Sequence, residues 1–211
     1  MTITFDLNEL YGRFEVENVN ELLNGVCDSD IGTEEEEKEK YRIVKFLIQE
    51  RNVNLEEVYT YPVFHASCNN RNRIVKFLLQ HGASYCQDCL IEAIANENMN
   101  LIKYFVEERN VDIYIEGEVY TPLGTAACGN LTILEYLLNH GADINCDGEG
   151  YALIEAIQEN KLDNVKFLVD RGADVNIQYH NFENVELPLK VALEKGNEEI
   201  ISFLREHGAH E

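Results

Sequence analysis

The chain has 211 residues, with 39 acidic against 17 basic side chains and a formal net charge of -22. So negative a chain repels phosphate, which excludes nucleic-acid binding by counterion release and disfavours anionic membrane surfaces. Hydrophobic residues make up 45% of it, too many for an acidic disordered tail, so a folded domain or a serial array of small units is expected.

The amino terminus has no basic flank leading into an apolar core, and no stretch approaches the roughly 18–20 apolar residues of a membrane helix. No secretory signal and no membrane span are therefore expected. Cysteines stand at 27, 68, 86, 89, 128 and 146, scattered through a chain too long to need covalent staples. A reduced, cytoplasmic protein is expected. Residues 10–23 read as a helix pair, and a Gly/Asp/Ser break follows. Glu34, Glu35, Glu36 and Glu37 then open a helix running to about Glu50, because carboxylates stabilise helix amino termini. The expected division is an N-terminal helical cap with an acidic linker at 1–33 and a repeat array over 34–211.

From residue 43 one phrase recurs: two apolar residues, a polar one, an aromatic or leucine, and two more apolar residues. It reads Ile43-Val44-Lys45-Phe46-Leu47-Ile48, Ile74-Val75-Lys76-Phe77-Leu78-Leu79 and Leu101-Ile102-Lys103-Tyr104-Phe105-Val106. It returns as Ile133-Leu134-Glu135-Tyr136-Leu137-Leu138, Asn164-Val165-Lys166-Phe167-Leu168-Val169 and Ile200-Ile201-Ser202-Phe203-Leu204-Arg205. Successive copies are spaced by 31, 27, 32, 31 and 36 residues. Apolar positions at i, i+3 and i+4 predict a helix buried along a broad stripe. Each helix stops on Gly82, Gly141, Gly172 or Gly208, or on Asn52 or Asn110, residues that accept the left-handed conformation. His81, His140 and His207 precede three of those glycines and read as helix-end caps, not as ligands or catalysts. A shorter helix before each phrase is marked by Ala66, Ala93, Ala126, Ala156 or Ala192, small enough for neighbouring helices to approach closely. The only prolines, Pro62, Pro122 and Pro188, suit the first turns of three of these helices.

On these residues the chain resembles the ankyrin repeat family, closely over 36–211 and loosely over 5–25. The resemblance is carried by Tyr120-Thr121-Pro122-Leu123 with Ala126-Ala127, and by Leu187-Pro188-Leu189 with Ala192. The turns His140-Gly141-Ala142-Asp143-Ile144-Asn145 and Arg171-Gly172-Ala173-Asp174-Val175-Asn176 match the family's helix-to-hairpin junction. The family's usual histidine after Thr-Pro-Leu is replaced by Gly124, Phe64 or Lys190. The resemblance implies an all-α solenoid of about six helix-turn-helix units with β-turn or hairpin fingers. It also implies an interaction module, not an enzyme, with polar terminal capping by Glu198, Glu199, Ser202, Arg205 and Glu206.

Two motifs point to other chemistry. Cys86-Gln87-Asp88-Cys89 has the C-x-x-C spacing of redox and zinc sites, without a second pair or the strand–helix setting of a thioredoxin fold. Asp143-Ile144-Asn145-Cys146-Asp147-Gly148 begins like an EF-hand loop, but Ile154 stands where the bidentate glutamate belongs. No nucleophile–base–acid set, P-loop or dinucleotide loop occurs. No catalytic residue, metal site or cofactor is expected.

In ankyrin-like stacks the segments between helix pairs form fingers that line a concave face with the short helices. Here these are 54–61, 84–88, 112–121, 143–151 and 174–186, which hold seven of the eleven tyrosines and no Lys or Arg. Tyrosine supplies rigid amphipathic contact area. The candidate partner-binding residues are Tyr59, Tyr85, Asp88, Tyr114, Glu116 and Glu118, with Asp147 and Glu149 in the fourth segment. Tyr179, His180 and Phe182 join them from the longest finger, an insertion exposing aromatics. The expected partner is a protein or peptide with a basic patch, bound by a monomer. Three competing readings are weighed against this one. They are a metal- or thiol-dependent activity at Cys86 and Cys89 or the Asp143 loop, binding through the outer helical face, and a pathogen or viral effector acting on a host protein in the host cytoplasm.

Overall fold

In the computed structural model every copy of the apolar phrase forms a helix. The structure describes residues 6–14, 18–29, 32–51, 53, 55, 62–113, 121–145, 151–181 and 184–211. The phrase helices are α3 (Glu34–Arg51), α5 (Asn72–Gln80), α7 (Met99–Lys103, prolonged by a π-helical turn over Tyr104–Glu108), α9 (Leu131–Asn139), α11 (Leu162–Asp170) and α13 (Glu198–Glu206). Each follows a partner helix: α2 (Val19–Asp28), α4 (Pro62–Cys68), α6 (Asp88–Ala95), α8 (Pro122–Cys128), α10 (Ala152–Gln158) and α12 (Pro188–Lys195). A further helix, α1 (Leu7–Phe14), precedes them, so the helix pair read at 10–23 is α1 and α2. The expected all-α solenoid of about six helix-turn-helix units is what forms, with six helix pairs among the described residues. No described helix is long and apolar enough to cross a membrane.

The chain divides into two compact units, Met1–Asn96 and Glu97–Glu211. In the first, α2 packs against α3 and α4, α4 against α5 and α6, and α3 against α5. Although it lies in the 1–33 segment, α2 thus packs as the short helix of a repeat. In the second unit α8 packs against α9 and α10, α10 against α11 and α12, and α11 against both α9 and α13. Short helices stack on short ones and phrase helices on phrase helices. That is how a unit too small to bury its own apolar face acquires a core.

The burial pattern follows the phrase. Ile43, Val44, Ile74, Val75, Leu101, Ile102, Ile133 and Leu134 are buried, while the polar residue after each apolar pair faces outward in five of the six copies. Removing a leucine or isoleucine from water stabilises the fold by about 1.5–3 kcal/mol. The five marker alanines, Ala66, Ala93, Ala126, Ala156 and Ala192, are all buried, as close approach of the short helices requires.

Helix ends show why the turn residues differ. Gly82, Gly141, Gly172 and Gly208 have φ of 93°, 94°, 96° and 87°, and Asn110 has φ of 49°. After a glycine turn the next amide closes back over five residues: Ala83 N donates to Leu78 O and Ala173 N to Leu168 O, each at 3.0 Å. The turn holding Asn110 carries one extra residue, and there Val111 N reaches Phe105 O at 3.0 Å. The π-helical turn absorbs the surplus residue in the α7 repeat. The capping histidines behave alike: Nδ1 of His81, His140 and His207 donates to the carbonyl four residues back at 2.9, 2.8 and 2.7 Å. Each imidazole also lies against the ring of Phe77, Tyr136 or Phe203, with centroids 4.0, 4.0 and 4.1 Å apart. A carbonyl only accepts, so Nδ1 carries the proton in all three.

In the longest finger, strands β1 (Tyr179–Asn181) and β2 (Asn184–Glu186) pair antiparallel, with Tyr179 opposite Glu186 and His180 opposite Val185. This is the expected hairpin. Val185 on it is an exposed apolar residue.

Candidate functional site

The short helices and the segments entering them are held by local chemistry that the sequence specifies. Thr121 caps α8, its Oγ1 accepting from Gly124 N at 3.0 Å, and Pro122 supplies the first helical residue. This cap forms without the family's usual histidine, since Gly124 donates through its backbone. Pro62 and Pro188 likewise begin α4 and α12.

Finger bases in the second unit are tied in series. Asp143 Oδ1 accepts from Asn145 N at 3.0 Å and Asp174 Oδ1 from Asn176 N at 2.8 Å, each closing a tight Asx turn. The asparagines then reach the next repeat: Asn145 Oδ1 accepts from Asp174 N at 2.9 Å, and its Nδ2 donates to Gly172 O at 3.4 Å. Asn176 repeats the arrangement, accepting from His210 N at 3.0 Å and donating to Gly208 O at 3.2 Å. The oxygens that looked like the start of a calcium loop are therefore engaged in turn formation. Among the described residues no three His, Cys, Asp or Glu side chains gather as a metal site.

The carbonyl ends of the short helices are satisfied by polar side chains from the following repeat. Arg71 donates to Val26 O and Cys27 O at 2.9 and 2.7 Å, to Ser29 O, and to Glu37 at 3.0 Å. Asn96 donates to Cys68 O at 3.1 Å. Asn164, which replaces the first apolar residue of its phrase, is 3% exposed and donates to Ala127 O and Gly129 O at 2.8 and 3.3 Å. An apparently misplaced polar residue is thus a latch between repeats.

The predicted binding residues are distributed as follows. Asp88 is exposed and opens α6, and Tyr85 lies in the same turn, half-buried, its hydroxyl enclosed. Burial pushes that phenol well above the usual tyrosine range. The backbones of Tyr179 and His180 lie on β1. Tyr59, Tyr114, Glu116, Glu118, Asp147, Glu149 and Phe182 lie outside the described residues.

Two carboxylates were overlooked. Leu90-Ile91-Glu92-Ala93-Ile94 on α6 recurs as Leu153-Ile154-Glu155-Ala156-Ile157 on α10, an identity that could have drawn attention to the shared glutamate. Both glutamates are half-buried and meet the cysteine that ends the preceding short helix, Cys68 or Cys128. The Cys128 thiol donates to Glu155 Oε2 at 3.4 Å. Burial holds the Glu155 carboxyl above the usual carboxylate range, and burial with the nearby carboxylate pushes each thiol up to about 12.

Basic residues fall mostly on the phrase helices, the exceptions being short helix α12 with Lys190 and Lys195 and phrase helix α9 with none. None of the 17 Lys and Arg residues lies on α4, α6, α8 or α10, or in segments 54–61, 84–88, 112–121 and 143–151. Described ion pairs of Lys and Arg lie at the phrase helices, as in Arg171 with Glu135 at 3.3 Å and Lys38 with Glu34 and Glu35 at 2.9 Å, while His65 on α4 meets Asp28 on α2 at 2.8 Å.

Comparison with known proteins matches a family model described as ankyrin repeats (3 copies) to residues 35–116 and 90–179. The chain is similar in fold to the crystal structure of the human ASB11 ankyrin repeat domain, at 21% identity and a TM-score of 0.66, covering 92% of this chain and 85% of that one. No curated protein matches the sequence.

Proposed function

The chain belongs to the ankyrin repeat family, whose repeats generally serve as protein–protein interaction modules, and from that premise we propose that it binds a partner bearing a basic patch. The binding surface of each unit is made of its short helices and the segments entering them. A protein of this kind contributes recognition, not catalysis, and acts in the cytoplasm. The observation that carries the reading is the sorting of charge. Short helices α4, α6, α8 and α10 carry Asp88, Glu92 and Glu155 without a Lys or Arg of their own, with α12 and its Lys190 and Lys195 the exception, whereas every phrase helix but α9 holds Lys or Arg. Such acids within each unit give a field that steers a basic partner and makes association sensitive to salt. Tyr59, Tyr85, Tyr114 and Tyr179, with Phe182, supply the apolar anchors. Asp88, Glu116, Glu118, Asp147 and Glu149 supply the charge, and His180 stands beside Tyr179 in the longest finger.

Titration with a library of Lys/Arg-rich peptides between about 0.05 and about 0.5 M salt tests this, since screening shortens from well over 10 Å to a few Å across that range. Binding is expected to weaken at least tenfold with salt and again with Tyr114→Ala and Glu116→Ala, but not with Glu135→Gln on a phrase helix. Binding indifferent to salt and to the first two substitutions would overturn the proposal.

A further inference from the structure

The C-x-x-C in segment 84–88 has a geometry that partner recognition does not require. Cys89 N donates to Cys86 O at 3.0 Å, a turn that directs both side chains to the same place, and the two sulfurs stand 3.0 Å apart. That is within about 1 Å of a sulfur–sulfur bond. The two positions are unequal. Cys86 is half-buried in the segment before α6, whereas Cys89 is buried in the first turn of that helix. The other described cysteines have no such neighbour: Cys27 is enclosed in the core, and Cys68 and Cys128 face glutamates.

Acidity follows the same asymmetry. The Cys86 thiol is held below its ordinary value, chiefly by the hydrogen bond that the Cys89 thiol gives to its sulfur, against the opposing effects of burial and Asp88. The same hydrogen bond, with burial, pushes Cys89 up. Burial raises Cys27, Cys68 and Cys128 to about 12. Among the described residues, Cys86 is the cysteine whose thiol is shifted toward the thiolate, and a partner sulfur is already in contact with it. Zinc would need further ligands, and no third His, Cys, Asp or Glu among the described residues joins the pair.

We propose that Cys86 and Cys89 are a redox-active dithiol that closes to an intrachain disulfide, Cys86 attacking and Cys89 resolving. The oxidant is a small disulfide of the glutathione class. The Cys86 thiolate attacks one of its sulfurs, forming a mixed disulfide and expelling the first thiolate. Cys89 then gives its proton to solvent and attacks the Cys86 sulfur, which expels the second thiolate. The protein loses two electrons and two protons overall, and the oxidant leaves as two thiols.

The test uses the full chain and no binding partner, so its outcome is independent of the recognition reading. The protein is equilibrated in glutathione buffers from fully reduced to fully oxidised, remaining thiols are trapped with N-ethylmaleimide, and peptides are read by mass spectrometry. A Cys86–Cys89 disulfide is expected, with Cys27, Cys68 and Cys128 still alkylated. Cys89→Ser should stop at a glutathione adduct on Cys86, and Cys86→Ser should give neither product. Iodoacetamide at neutral pH should modify Cys86 at least about ten times faster than Cys68 or Cys128. The wild-type measurement decides the matter even if a variant fails to fold. Absence of the disulfide at every glutathione ratio would overturn the proposal. So would adduct formation on Cys89 in Cys86→Ser at the wild-type rate, or stoichiometric zinc that protects both thiols.

Discussion

Asn145 shows how much one side chain does when a backbone must leave one repeat and join the next. Its amide closes the Asp143 turn, its oxygen takes the Asp174 amide, and its Nδ2 reaches Gly172 O. Asn145→Ala is expected to cost about 1–2 kcal/mol in urea unfolding, since two inter-repeat hydrogen bonds are lost from a partly exposed site. The carboxylate of Glu155 gives a pH-dependent test. Its folded pKa is raised chiefly by burial, so the folded chain holds that proton more tightly than the unfolded one. The resulting stability is fully present below the unfolded value near about 4.3 and is lost as pH rises through the higher folded value. Glu155→Gln mimics the protonated form and keeps an acceptor for Cys128. The variant should melt about 1–3 °C above wild type at pH 7, and the two should converge at acid pH. A constant difference across pH would show that titration of Glu155 is not its source.

Helix ends follow a rule that the residue types announced only in part. Glycine closes the turns with the shorter count, and Asn110 closes one with a further residue. A Cβ built at Gly172 meets nothing within 4 Å, yet the backbone there has φ of 96°. Gly172→Ala should therefore lose about 1–2 kcal/mol through backbone strain alone, whereas Asn110→Gly should change stability by less than about 0.5 kcal/mol. Thermal melts of the two variants separate these effects: equal losses would mean that the turn is held by contacts and not by its handedness. The π-helical turn was not legible beforehand. The phrase Leu101-Ile102-Lys103-Tyr104-Phe105-Val106 looks like its siblings, and its surplus residue matters only when Val111 must reach back to Phe105.

Across the chain, 39 acids against 17 bases make self-repulsion a general term in stability. Added sodium chloride, from about 0.05 to about 0.5 M, should raise the melting temperature by screening it, mainly within the first few tenths molar. A melting temperature that falls over this range would mean that ion pairs such as Arg171 with Glu135 outweigh the repulsion. The same charge acquires a location once helices are assigned. The phrase helices hold paired ions, while α4, α6, α8 and α10 hold none of the bases.

The period, the helix pairs, the marker alanines, the proline starts and the capping histidines were legible in the sequence. Each depends on neighbours a few residues away or on a pattern that repeats. Asn164 was read as one more member of its phrase, because the carbonyls it satisfies belong to Ala127 and Gly129, over thirty residues earlier. The Cys128–Glu155 contact and the Arg71 latch were hidden for the same reason. Composition and periodicity determined that this chain would be a stack of paired helices with an acidic surface. Tertiary structure alone decided which polar groups close the joints and that Cys86 and Cys89 meet at 3.0 Å. Periodicity reports only which face of a helix is apolar, whereas a hydrogen bond or a sulfur contact depends on distances that packing sets.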